Sequence, residues 1–173
     1  MDLSRTVGWF TSVIPVCLDP GPVDLAEALA GGPAAGQALE RVREHLAGLP
    51  SGGIGYGLLR HLNPRTGPEL ARLGTPRIEF NYMGRFGVPE ATDWSYAAES
   101  DAVDLDADGD MPEGHCLVVN SLTEDRPGGP ELAVFWSWPS GVLAEDAVRE
   151  LAETWFQALD ALVTHATGRP ERA

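Results

Sequence analysis

Residues 116–138 read CLVVNSLTEDRPGGPELAVFWSW. Residues 116–122 are apolar and β-branched, and residues 131–138 form a second such run rich in aromatics. Both compositions favour strands. Residues 124–130 between them are rich in Gly, Pro and acid, as a turn joining a hairpin requires. Gly141 closes the region. From about 144 to 165 the apolar spacing changes to threes and fours. Val148, Leu151, Ala152, Trp155, Leu159, Leu162 and Val163 fall on one stripe. That pattern is an amphipathic helix, which should cover a sheet face. Paired strands followed by a covering helix place the chain in the α/β class.

Upstream, Ile78, Phe80 and Tyr82 alternate with Arg77, Glu79 and Asn81. This is a half-buried strand whose Ile78 set should face the core. Residues 6–18 are β-branched and aromatic, so they also read as a strand, with Pro15 restricting it to an edge, a bulge or a strand start. Residues 19–22, DPGP, then form a turn. A short helix is expected over 24–30, capped by Asp24. A second runs over 35–49, with Leu39, Val42 and Leu46 on one side and Gly36 weakening its start. Residues 54–62 should hold a helix packed by Leu58, Leu59 and Leu62. Residues 65–75 are a linker in which 68–73 can form a helical turn. Residues 83–114 read as loop, anchored by Trp94 and Tyr96. The expected fold is a two-layer α/β lobe with a small mixed sheet covered by helices, spanning 1–167, with a frayed tail at 168–173.

The 173 residues make about one domain, large enough for a core. Twelve basic against 26 acidic residues give a formal net charge of -14. Such a chain repels phosphate backbones and anionic lipid, which argues against nucleic acid and membrane partners. No apolar run reaches the roughly 18 residues of a membrane helix. The N-terminus lacks a signal-peptide pattern, so the cytoplasm is the expected compartment. Cys17 and Cys116 lie in apolar stretches and read as buried free thiols on strands. The four histidines show no zinc spacing, so no metal is expected there. Residues 104–110, DLDADGD, match an EF-hand loop at its first, third, fifth, sixth and seventh positions, but His115 stands where the twelfth needs Glu. A solvated acidic loop is the plainer reading, and calcium binding is left open.

Three further segments occur in order: RTVGWFTSVIPVCLD at 5–19, LPSGGIGYG at 49–57 and FNYMG at 80–84. Together they resemble the late signature motifs of the epimerization domains of non-ribosomal peptide synthetases, a branch of the condensation superfamily. Arg5 to Thr11, Pro15, Leu18 and Asp19 match the first motif. Pro50, Gly53, Gly55, Tyr56 and Gly57 match the second. The third has Met83 where the family usually has Leu. Residues 136–159 also resemble the superfamily's closing strand-to-helix unit.

The resemblance implies one half of a chloramphenicol-acetyltransferase-like domain, its C-terminal lobe. In the family, two lobes form a V, and a tunnel between them admits the phosphopantetheine arm of a peptidyl carrier protein. The attached aminoacyl or peptidyl thioester is converted from L to D at Cα. No intrinsic cofactor is implied, because the arm belongs to the carrier. Asn81 and Tyr82 match a pair near the family's reaction centre, as candidate catalytic residues. Trp9, Phe10 and Thr11 are candidates for the tunnel wall. Strand alternation predicts that Asn81 and Tyr82 point opposite ways unless a bulge intervenes. Gly53, Gly55 and Gly57 lack the context of a phosphate loop and read as tight packing.

The family's HHxxxDG and EGHGRE motifs do not occur in this sequence. Epimerization needs a base and a proton source on opposite faces of Cα, so the chain alone is expected to be inactive. A condensation-type lobe that forms peptide bonds is the alternative enzyme reading. A non-catalytic module binding a carrier protein or other synthetase domains is the alternative without chemistry. An exposed seam left by an absent N-terminal lobe predicts a homodimer or association.

Overall fold

Among the described residues, three strands form a sheet: Ile78–Phe86 (β1), Leu117–Arg126 (β2) and Gly129–Ser137 (β3), in the order β1-β2-β3. The computed structural model describes residues 5–8, 10–87 and 114–168. β1 runs parallel to β2, and β2 antiparallel to β3, so the sheet is small and mixed as expected. The hairpin is tighter than the composition of 124–130 suggests. Arg126 pairs with Gly129, which leaves a two-residue loop of Pro127 and Gly128. Gly129 has φ +120, a conformation that suits glycine alone.

The helices are Leu25–Leu29 (α1), Pro33–Ala47 (α2), Gly55–Gly57 (α3), Gly67–Arg72 (α4) and Glu145–Thr167 (α5). Asp24 caps α1 as expected, its Oδ1 accepting from the Glu27 N–H at 3.0 Å. α2 starts two residues before the expected boundary, because Pro33 suits a first helical turn whose N–H is unpaired anyway. The turn at 19–22 forms, with Asp19 Oδ1 accepting from Gly21 N–H at 2.7 Å. Arg41 of α2 donates to Pro20 O at 2.7 Å and so pins this turn.

The described chain divides into two compact units, residues 75–148 and residues 1–74 with 149–173. In the first, Leu117 and Val119 of β2 are buried with Val148, and Val134, Trp136, Trp138 and Leu143 pack around them. Val148, in the first turn of α5, packs in the sheet's core, and from Arg149 onward the residues of α5 belong to the other unit. In that other unit, Gly31 has φ +76 and lies against Thr164 and Ala161 O. Gly36, inside α2, lies against the His165 ring.

Several expectations fail. Residues 10–18 form no strand, and Phe10, Val13, Val16 and Leu18 are exposed. A strand needs a neighbour to complete its ladder, and none of the described strands belongs to that unit. Cys17 is accordingly exposed rather than buried on a strand, while Cys116 is half-buried. A helical stretch does form over 55–62, ending in a π-turn at Leu58–Leu62, but Leu58, Leu59 and Leu62 stay exposed. Finally, Ile78, Phe80 and Tyr82 are 59%, 59% and 51% exposed, while Glu79 and Asn81 are half-buried. Their face is the one that carries Leu117 and Val119, but among the described strands β1 is at the edge, and the core lies under β2 and β3. The helical turn expected in the linker is α4. Trp94, Tyr96, the acidic run 104–110 and tail residues 169–173 lie outside the described residues.

Candidate functional site

The FNYMG motif occupies the middle of β1, and its last residue explains its shape. Register holds from Ile78↔Leu117 to Tyr82↔Ser121, then shifts so that Arg85 pairs with Thr123. Three steps along β1 match two along β2, which is one extra residue. Gly84 takes up the distortion at φ +105. The motif glycine is thus needed for a bulge, where a Cβ would be strained.

Asn81 and Tyr82 precede this bulge, so ordinary alternation applies and they face opposite sides. On one side Asn81 lies in register with Asn120, and its Nδ2 donates to Asn120 Oδ1 at 3.2 Å. On the other side Tyr82 Oη shares a hydrogen bond with Thr123 Oγ1 at 3.0 Å. Beneath Asn81, Ser121 Oγ donates to the Asn81 carbonyl at 3.3 Å. Ser121 is only 1% exposed, so a hydroxyl in the core holds the main chain of the motif. Beyond the bulge, Arg85 Nε donates to Asp125 Oδ1 at 2.8 Å. That hydrogen bond, with the charge of Asp125, raises the Arg85 guanidinium above its ordinary value.

The start of β1 is tied down separately. His115 Nδ1 lies 2.8 Å from Pro76 O and its Nε2 3.1 Å from Glu79 Oε2. Cys116 N–H donates to Arg77 O at 2.8 Å. The residue at the twelfth position of the calcium-like pattern is therefore engaged with β1. Among the described residues, no group of three or more His, Cys, Asp or Glu is placed to hold a metal. Among them also, no helix is long and apolar enough to cross a membrane.

The other candidates belong to the second unit. Phe10 and Thr11 are exposed on irregular chain, and Trp9 lies outside the described residues. Of the motif glycines, only Gly53 packs tightly: at φ +84 it lies against the Ile14 side chain, which links the first two motif segments. Gly55 and Gly57 have open space where a Cβ would stand, so tight packing does not account for them. The structure thus brings together Asn81, Asn120 and Ser121, of which the motif names only the first. The signal for the others was a polar pair interrupting the apolar run CLVV before Leu122, aligned with Asn81 by a register that sequence does not display.

No family model matches the chain. One of the linear gramicidin synthase proteins of Brevibacillus parabrevis is 31% identical over 175 residues, covering 100% of this chain and 3% of that protein. Bacitracin synthase 3 of Bacillus licheniformis is 30% identical over 172 residues, covering 99% and 2%. Tyrocidine synthase 1 of Brevibacillus parabrevis is 29% identical over 175 residues, covering 98% and 15%. The chain therefore spans only a small part of each of these relatives. Among solved structures, the epimerization domain from the third module of tyrocidine synthetase B superposes with a TM-score of 0.62 at 27% identity, covering 98% of this chain and 35% of that one. With likeness in sequence along nearly its whole length, and in fold to about a third of a solved epimerization domain, the chain is homologous to the epimerization domains of non-ribosomal peptide synthetases, in the condensation superfamily.

Proposed function

We propose that this chain is the C-terminal lobe of an epimerization domain acting on an L-aminoacyl or peptidyl thioester carried by the phosphopantetheine arm of a peptidyl carrier protein. The observation that carries the reading is the match of 98% of the chain to 35% of the solved epimerization domain. In the reaction, the Cα–H bond breaks and its proton goes to a base on one face. The electron pair is delocalised onto the thioester oxygen. A proton delivered to the other face then re-forms Cα–H with inverted configuration, and no bond to the carrier is broken. The developing negative oxygen needs a fixed donor. Asn81 fits that role: one Nδ2 hydrogen is held by Asn120, and the amide carries a second. Tyr82, on the opposite face and engaged with Thr123, is assigned to shaping the wall. Phe10, Thr11 and Trp9 are assigned to the tunnel. The base and the proton donor come from the HHxxxDG and EGHGRE motifs, which these residues do not include.

The test supplies the chain with a first lobe bearing those motifs and a carrier protein loaded with an L-aminoacyl thioester. Solvent deuterium should enter Cα, and a D-aminoacyl thioester should appear. The chain alone should give neither. Peptide-bond formation without exchange would move the assignment to the condensation branch. Carrier binding with no chemistry by the complemented pair would leave an interaction module.

A further inference from the structure

We infer that Asn120 is a positioning residue for Asn81, holding its side-chain amide in place for the reaction. The inference rests on the proposed role of Asn81. A primary amide on an edge strand has two free side-chain torsions and two nearly isosteric orientations, one presenting N–H and the other C=O. Only the first stabilises a developing oxyanion; the second repels it.

Asn120 restricts those torsions. It lies directly across the parallel pair from Asn81, on the same face, and its Oδ1 accepts from Asn81 Nδ2 at 3.2 Å. With only one of the two amides turned over, like atoms would face each other, so the contact couples the orientation of Asn81 to that of Asn120. With Asn81 Nδ2 as the donor, its second hydrogen points away from Asn120. The main chain beneath is held by Ser121, whose hydroxyl donates to Asn81 O at 3.3 Å from a fully buried position. Asn120 and Ser121 are successive residues of the central strand, so one hydrogen bond holds the side chain of Asn81 and the next holds its backbone. The bulge begins only after Tyr82, which leaves this register undisturbed. β2 is paired on both sides, with Asn120 also opposite Phe135 of β3, so it is a firmer support than an edge strand.

The experiment has two readouts. In this chain, the Asn81 side-chain amide is followed by nitrogen-proton NMR. Asn120→Leu should shift that signal and speed its exchange with water, while the backbone spectrum keeps its dispersion. An unmoved Asn81 amide overturns the inference. In the chain complemented by the first lobe, Asn120→Leu should lower the rate constant for Cα exchange about 10- to 100-fold, with KM for the loaded carrier little changed, as expected for a misdirected group. In an Asn81→Ala background the same substitution should have no further effect. An equal loss in both backgrounds would show that Asn120 acts through general structure and would overturn the inference. If Asn81→Ala lowers the rate and Asn120→Leu does not, the positioning role alone falls. If Asn81→Ala leaves the rate unchanged, the proposed role of Asn81 falls and the inference falls with it. Should Asn120→Leu lose its backbone dispersion, Asn120→Ala takes its place in both assays with the same expected outcomes.

Discussion

At residue 36 a glycine stands inside a 15-residue helix, where alanine would ordinarily be favoured by about 1 kcal/mol. The structure reverses that preference. A Cβ on Gly36 would collide with Nε2 of His165, and this nitrogen is buried without a hydrogen-bond partner. Gly36→Ala should therefore lower stability by about 1–2 kcal/mol in a denaturant titration, since overpacking outweighs helix propensity. His165→Ala in the same molecule should recover most of the loss, giving a non-additive pair. A higher midpoint for the single variant would rule out the contact. Gly84 makes the companion case. At φ +105, Gly84→Ala should cost about 1–3 kcal/mol. It should also shift the amide signals of Arg85 and Phe86 more than those of Ile78 to Asn81, because register changes only after Tyr82.

Elements were legible where a pattern needed only its own residues. The α5 stripe, the Asp24 cap, the β2–β3 hairpin and the α4 turn all follow from local spacing. What failed depended on a neighbour. Residues 10–18 have strand composition but none of the described strands lies in their unit, and Ile78 and Phe80 have the right alternation on a strand at the edge of the described sheet. Periodicity reports that two faces differ, not which face the core covers. The candidate site was legible to the same degree: the motif points to Asn81 and Tyr82 as candidates, and alternation correctly separates their faces. Asn120 and Ser121 emerge only from register. The core of the sheet unit is narrow, so its few buried residues should be costly to truncate. Val148, 4% exposed, packs with Leu117 and Val119. Val148→Ala should lower stability by about 2 kcal/mol through lost burial and a residual cavity. Arg126, by contrast, donates to Glu124 and pairs with Glu131 on an exposed hairpin end. Its guanidinium is raised by that hydrogen bond and those charges, yet Arg126→Ala should leave the denaturation midpoint where it is, because solvent screens such pairs.

Over the whole molecule, two features oppose each other. Large apolar side chains stand exposed in both units, among them Leu58 and Leu62 in one and Phe80 and Phe135 in the other. These favour association of the isolated chain. A formal charge of -14 opposes it, because each encounter brings two strongly anionic chains together. The balance should depend on salt in a direction fixed by the range of each force. Apolar contact acts only at the surface, whereas repulsion reaches about 30 Å at 0.01 M salt and about 8 Å at 0.15 M. Raising salt shortens the repulsion and leaves the attraction in place. Light scattering should therefore show a small average mass at low ionic strength that grows with both salt and protein concentration. Association driven by ion pairs would show the opposite trend, weakening as salt rises. A constant monomer mass under every condition would mean that the exposed side chains do not form a surface on which copies can meet. Supplying the first lobe gives a sharper comparison. If that lobe covers these side chains, the salt-dependent growth should vanish at the ratio of chains that restores Cα exchange.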